Sequence, residues 1–135
     1  MAETLEFELV SPEKLLVSGQ AEMVIVPGSE GDFGALPRHA PMITAIRPGV
    51  IDVYRGGKVH DSIFVAGGFA EVTEARLTVL AEEAITLAEL SAEGIETRLK
   101  DAASAVEDAA DDHSRANAER ALKVAQAMKD ALGRK

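Results

Sequence analysis

Glu30, Asp32 and His39 are the residues whose types and spacing could do chemistry. Two carboxylates and an imidazole close together in sequence could hold a metal ion or pass a proton between them. Their spacing matches no compact metal motif, however. The competing reading is that they are solvated, or meet a protein partner, on a ribbon rich in turns. A small metal- or acid/base-dependent enzyme using Glu30, Asp32 and His39 stands as the alternative function. Other candidates are thinner. His60 and His113 are isolated and read as surface residues. Gly67-Gly68 lacks the spacing of either glycine-rich phosphate fingerprint and reads as a strand bend or bulge. Ser11, Ser18, Ser29 and Ser62 sit in no nucleophile-elbow context. There is no cysteine, hence no disulfide and no thiolate chemistry.

The ribbon that carries the three residues, Val26 to Ile51, holds four of the five prolines and four of the eleven glycines. Pro27-Gly28 and Pro48-Gly49 read as turn pairs, with proline presetting φ and glycine accepting the positive φ that follows. Loops held by a rigid scaffold are where binding usually resides. Phe33, Leu36, Met42 and Ile43 are apolar positions on this ribbon that could anchor a partner. Leu36 and Ile43 are expected instead in the core.

The elements that must position the ribbon divide into two halves. Every aromatic residue (Phe7, Phe33, Tyr54, Phe64, Phe69), every proline and nine of the eleven glycines precede Leu87. Leu5, Phe7 and Leu9 alternate with Glu6 and Glu8, the period of a strand with one wet face. Ser11-Pro12 ends it. Short apolar runs follow at Lys14 to Ser18, Ala21 to Val26, Met42 to Ile46, Val50 to Tyr54, Ser62 to Ala66, Phe69 to Thr73 and Leu77 to Leu80. Gly19, Gly56-Gly57, Gly67-Gly68 and Glu74-Ala75 separate them. Gly56-Gly57 is a strong two-residue hairpin signal. Many short strands with turns between them predict an antiparallel sandwich or barrel rather than a parallel sheet with crossover helices.

The second half is rich in alanine. Ile95, Leu99, Ala102, Val106 and Ala110 share one helical face, and Ala118, Ala121, Leu122, Ala125, Met128 and Leu132 another. Ser91 is placed to cap the first helix. Asp111-Asp112-His113-Ser114 is the expected turn, although no glycine or proline enforces it and one long helix is the alternative. From Glu82 to Asp112 ten acids face two bases; from His113 on, six bases face two acids. Such a charge division favours antiparallel self-pairing. Alanine faces bury little area, so the pair is expected to be weakly held and a candidate moving part.

Composition sets outer bounds. The net charge of −9 argues against a general nucleic-acid or anionic-lipid binder. No apolar run reaches the length of a membrane span. The start, MAETLEFELV, lacks the features of a signal peptide, and a cytosolic protein is expected.

At this point the residues resemble a known family. Pro27-Gly28-Ser29-Glu30-Gly31-Asp32-Phe33-Gly34-Ala35-Leu36-Pro37-Arg38-His39-Ala40-Pro41-Met42-Ile43-Thr44, with Pro48-Gly49 beyond, is similar to the signature of the epsilon subunit of F-type ATP synthases, called delta in mitochondria. Phe64 to Val72, Val79 to Glu82 and the opening Leu9-Val10-Ser11-Pro12-Glu13 also fit. The resemblance implies an α+β chain: an antiparallel ten-stranded β-sandwich over residues 1–86, then an antiparallel two-helix hairpin over 87–135. It implies a non-catalytic rotor subunit without cofactor or metal, peripheral on the cytoplasmic face of the bacterial inner membrane. It implies that Ser29, Glu30, Gly31, Asp32 and Phe33 meet the c-ring, and that His39, Ala40, Pro41 and Met42 face the gamma subunit. It further implies a regulatory helix whose Arg115, Arg120, Lys123 and Lys129 can meet an acidic segment of the beta subunit and inhibit ATP hydrolysis. One departure stands out. Some members bind ATP through an Ile/Leu-Asp-x-x-Arg-Ala motif. Leu90-Ser91-Ala92-Glu93-Gly94-Ile95 puts Ser91 and Gly94 where the aspartate and arginine would stand, so no ATP site is carried over.

Overall fold

The computed structural model describes residues 3–12 and 14–134, with the side chains at 14–16 left aside. Met1, Ala2, Glu13 and Lys135, which entered the motif and charge readings, lie outside the described residues. The chain divides into two compact units, Met1–Thr86 and Leu87–Lys135.

The first unit is built from eight strands: β1 (Leu5–Ser11), β2 (Lys14–Ala21), β3 (Met23–Gly28), β4 (Gly31–Ala35), β5 (Met42–Ala45), β6 (Gly49–Arg55), β7 (Lys58–Val72) and β8 (Arg76–Thr86). Their hydrogen-bonded order is β2-β1-β8-β7-β6-β3-β4, with β5 also on β7. Ten strands were expected and eight are found among the described residues. Part of the difference lies at Gly67-Gly68, which bends β7 without ending it. Before the bend β7 pairs with β6, Val65 against Gly49; after it, with β5, Phe69 against Ala45. One long strand therefore serves both layers of the sandwich, and β8 follows it throughout, from Ile63↔Thr86 to Val72↔Leu77. Gly19 does not break β2 either. The expectation of an all-antiparallel sheet fails at one seam: β1 runs parallel to β8, Glu6↔Arg76 through Val10↔Leu80. These strands are the two ends of the unit, so the whole intervening chain is the crossover that a parallel pair requires.

Alternation decides which residues go inside. Leu5, Phe7 and Leu9 are fully buried, while Glu6 is exposed. Ile51 and Val53 on β6, Ile63 and Val65 on β7, and Leu77 and Val79 on β8 fill the same core. Each such side chain is worth about 1.5–3 kcal/mol on burial. The Gly56-Gly57 hairpin forms as read: both φ values are positive (63° and 76°), the type I′ geometry that matches strand twist.

The second unit holds two helices, α1 (Ala92–Asp108) and α2 (Asp112–Leu132). The Ser91 hydroxyl accepts from the Gly94 N–H at 3.1 Å and caps α1. The expected turn at 111–114 begins earlier, at Ala109 to Asp111. Asp111 is itself a cap, its carboxylate accepting from the Ser114 N–H at 2.7 Å, so Asp112 to Ser114 already belong to α2. Lys129 near the end of α2 reaches Glu96 near the start of α1 at 3.9 Å, which makes the pair antiparallel. The buried residues of the two helices are mostly alanine: Ile95 and Ala102 on α1, and Ala118, Ala125, Met128 and Ala131 on α2. Ala121, expected on this face, is exposed.

Candidate functional site

The Val26–Ile51 ribbon is less of a loop than its composition predicts. Much of it is strand, and the turn falls elsewhere. β3 and β4 pair as Val26↔Phe33, Pro27↔Asp32 and Gly28↔Gly31, so Pro27-Gly28 closes a strand and Ser29-Glu30 forms the two-residue tip. Neighbouring chain braces this tip. The Ser29 N–H donates to the Ala45 carbonyl at 2.9 Å, and the Arg47 N–H to the Pro27 carbonyl at 3.0 Å. The Arg47 guanidinium donates to the Gly28 carbonyl at 2.6 Å and pairs with the Asp32 carboxylate. Nothing in sequence spacing links Arg47 to Gly28, and the reading of the sequence missed it. Ser29, Glu30, Gly31 and Asp32 are exposed on this braced tip, and Phe33 is half-buried behind them.

His39 sits against the same hairpin. Its ring centroid lies 6.3 Å from that of Phe33, and its Nδ1 is 2.6 Å from the Ala40 carbonyl. It follows a tight turn, Leu36 to His39, closed by the His39 N–H to the Leu36 carbonyl at 3.1 Å. Pro37 occupies the second position and Arg38, with φ 68°, the third, the pattern of a type II turn. A non-glycine residue in that conformation carries about 1–2 kcal/mol of strain. Ala40 and Pro41 are exposed and Met42 is half-buried. Among the described residues no group of three or more His, Asp or Glu side chains converges as a metal site. Asp32 is engaged by Arg47 and His39 by its own loop, so the geometry builds no acid/base pair from them.

The larger feature is one that the reading of the sequence did not find. Register places Ala45, Phe69, Leu80 and Val10 in one row across β5, β7, β8 and β1, on the outward face of their layer. Ile43, two residues along β5, extends the apolar surface into the next row, opposite Glu71. Phe69 is 59% exposed, Leu80 56% and Ile43 69%. With Val10, Ser11 and Pro12, Phe69 and Leu80 line a groove of 330 Å³. Leu36 and Ile43, expected in the core, are thus outside it; Leu36 is 49% exposed. Phe33 and Met42 pack against the core instead. That next row is otherwise polar, with Glu71, Thr78 and Glu8 side by side, and Arg76 bonds both Glu6 and Glu8. An apolar band of this kind, rimmed by charge, marks an interaction surface.

The family described as "ATP synthase, Delta/Epsilon chain, beta-sandwich domain" matches residues 4–87, the whole strand-built unit. The chain belongs to the ATP synthase delta/epsilon family. Among its relatives, the ATP synthase epsilon chain of Paramagnetospirillum magneticum is 62% identical, over 98% of this chain and 99% of that one. That of Rhodospirillum rubrum is 58% identical, over 95% and 96%. Among solved structures, a chain of the Euglena gracilis mitochondrial ATP synthase (OSCP/F1/c-ring) superposes with TM-score 0.80 at 26% identity, covering 96% of this chain and 81% of that one. A chain of the Tetrahymena thermophila mitochondrial ATP synthase central stalk and c-ring shares the fold, with TM-score 0.74 at 12% identity, over 96% and 97%. As a member of the epsilon family the chain is a non-catalytic subunit of the complex, and the reading of Glu30, Asp32 and His39 as an enzyme centre is not supported.

In this epsilon-family chain the helical unit has its own local chemistry. Ser91 and Gly94, at the place of the ATP-binding motif, are used as a helix cap and its donor. Arg115, Arg120, Lys123 and Lys129 are all exposed along α2. Arg120 bonds the Asn117 side chain, and Lys129 takes the pairing with Glu96. Asp111 at the α2 N-terminus is held below the usual carboxylate range, first by the Ser114 backbone N–H and then by the Ser114 hydroxyl.

Proposed function

We propose that this chain is a central-stalk rotor subunit that couples proton-driven rotation of the c-ring to ATP synthesis, with its strand-built unit docked on gamma and the c-ring. The observation that carries this reading is the exposed apolar surface of Ile43, Phe69 and Leu80 next to a braced polar hairpin tip. An element that transmits torque needs stiff contacts, and both features lie on paired strands rather than on free loops. The tip, Ser29, Glu30, Gly31, Asp32 and Phe33, is the c-ring contact in this reading. His39, Ala40, Pro41 and Met42, together with the apolar row, meet gamma.

The helical unit is the regulatory part, held by alanine-rich packing and able to move. Arg115, Arg120, Lys123 and Lys129 would then meet an acidic segment of the beta subunit and restrain ATP hydrolysis. The chain sits peripherally at the cytoplasmic face of the bacterial inner membrane as part of the complex. No helix among the described residues is long and apolar enough to cross a membrane.

The test is assembly and coupling. Replacing Glu30 and Asp32 together by alanine should loosen the rotor and uncouple ATP hydrolysis from proton pumping, with the isolated chain still folded. Pumping at the wild-type ratio to hydrolysis would overturn the assignment of the tip.

A further inference from the structure

Arg38 is the single residue other than glycine with positive φ among the described residues. Its place in the Leu36–His39 turn asks for glycine, so the arginine is strained there. The fold receives little in return. The Arg38 N–H donates to the Glu74 carbonyl at 2.7 Å, but a glycine would make the same bond. The guanidinium meets the Glu3 carboxylate at 2.5 Å, with the two side chains 78% and 57% exposed. Water and salt screen a pair in that setting, and it contributes little to stability.

We propose that the Arg38 guanidinium is a docking cation for a carboxylate on the partner that seats on the adjoining His39–Met42 segment, and that Glu3 holds its place in the free chain. This rests on the reading of that segment as the gamma contact. Three observations converge on it. The strain falls on a residue whose side chain points to solvent. That residue directly precedes the docking segment and is fixed by the Glu74 carbonyl rather than left mobile. Its only ion-pair partner among the described residues is an acid, so the site already has the chemistry of a carboxylate receptor. The planar fork of arginine suits two parallel bonds to one carboxylate, which a lysine cannot reproduce.

The experiment compares the full chain with its Arg38→Gly, Arg38→Lys and Glu3→Gln variants. Each is measured for binding to purified gamma subunit at low and high salt, and for urea midpoint by Tyr54 fluorescence. Arg38→Gly should weaken binding about tenfold, equivalent to about 1.4 kcal/mol, yet raise the midpoint because the strain is gone. Arg38→Lys should fall between, and high salt should narrow the gap. Glu3→Gln should tighten binding by removing the internal competitor. Wild-type affinity in Arg38→Gly overturns the assignment. A lowered midpoint in that variant also overturns it, since Arg38 would then belong to the fold. If the wild-type chain does not bind gamma, the docking reading itself falls, and the proposal with it.

Discussion

Replacing Gly68 by alanine tests the account of the sandwich corner most directly. Gly68 has φ +99°, and a Cβ built there would lie 1.8 Å from the Leu80 carbonyl oxygen and 2.9 Å from its carbon. Those atoms are backbone of the paired strand, and Gly68 is in register with Ala81, so no side chain can swing aside. The Gly68 carbonyl also accepts from the Ile46 N–H at 3.0 Å, which ties the corner to the end of β5. The positive φ costs about 1–2 kcal/mol for a residue with a Cβ. Forcing the strands apart adds about 1–3 kcal/mol, the usual range for overpacking. The sum, about 2–5 kcal/mol, is a large part of the stability of a unit this size. The sole tyrosine, Tyr54, lies in β6, and the chain has no tryptophan, so tyrosine fluorescence follows the strand-built unit alone. With a urea slope near 1 kcal/mol per M, the midpoint should fall by about 2 M or more. Gly57→Ala is the control. Gly57 also has positive φ (+76°), but a Cβ there meets nothing within 4 Å, so only the strain of about 1–2 kcal/mol applies. Equal losses in the two variants would refute the claim that the close strand crossing at Gly68 shapes the corner.

Other outcomes follow from the same geometry. Phe69→Ser should change the urea midpoint by no more than about 0.5 kcal/mol in equivalent stability, because the side chain is exposed, while binding to gamma falls; a large loss of stability would mean that Phe69 is core. Arg47→Ala should cost no more than about 1 kcal/mol, yet hydrogen exchange at Ser29 to Asp32 should quicken; unchanged exchange would show that the backbone bonds brace the tip unaided. The folded pKa of Asp111 lies below its ordinary value of 3.8, so its cap is at full strength above that pH and is lost as pH falls through the lowered value. Helical circular dichroism should therefore decline below about pH 3.8, and Asp111→Asn should flatten that part of the curve; the same acid loss in the variant would place its origin elsewhere.

The local instructions were legible in the sequence. The Leu5-Phe7-Leu9 alternation, the Gly56-Gly57 hairpin, the Ser91 cap and the split between turn-rich and alanine-rich halves each act over a few neighbouring residues, through φ preferences, side-chain period or a single hydrogen bond. The signature around Glu30 to Thr44 carried the family on residue identity alone. Pairing was different, because it joins residues distant in the chain. The parallel β1–β8 seam, the run of β7 through Gly67-Gly68 and the brace from Arg47 to Gly28 depend on which strands meet. Inside and outside were decided at the same level. Phe69, Ile43 and Leu80 lie in nearly continuous apolar runs, where period two gives no preferred face. Only the register of four neighbouring strands sets them on one outward face. Arg38 shows the same division: its type and its proline neighbour were visible as sequence, but its strain exists only once the turn is closed.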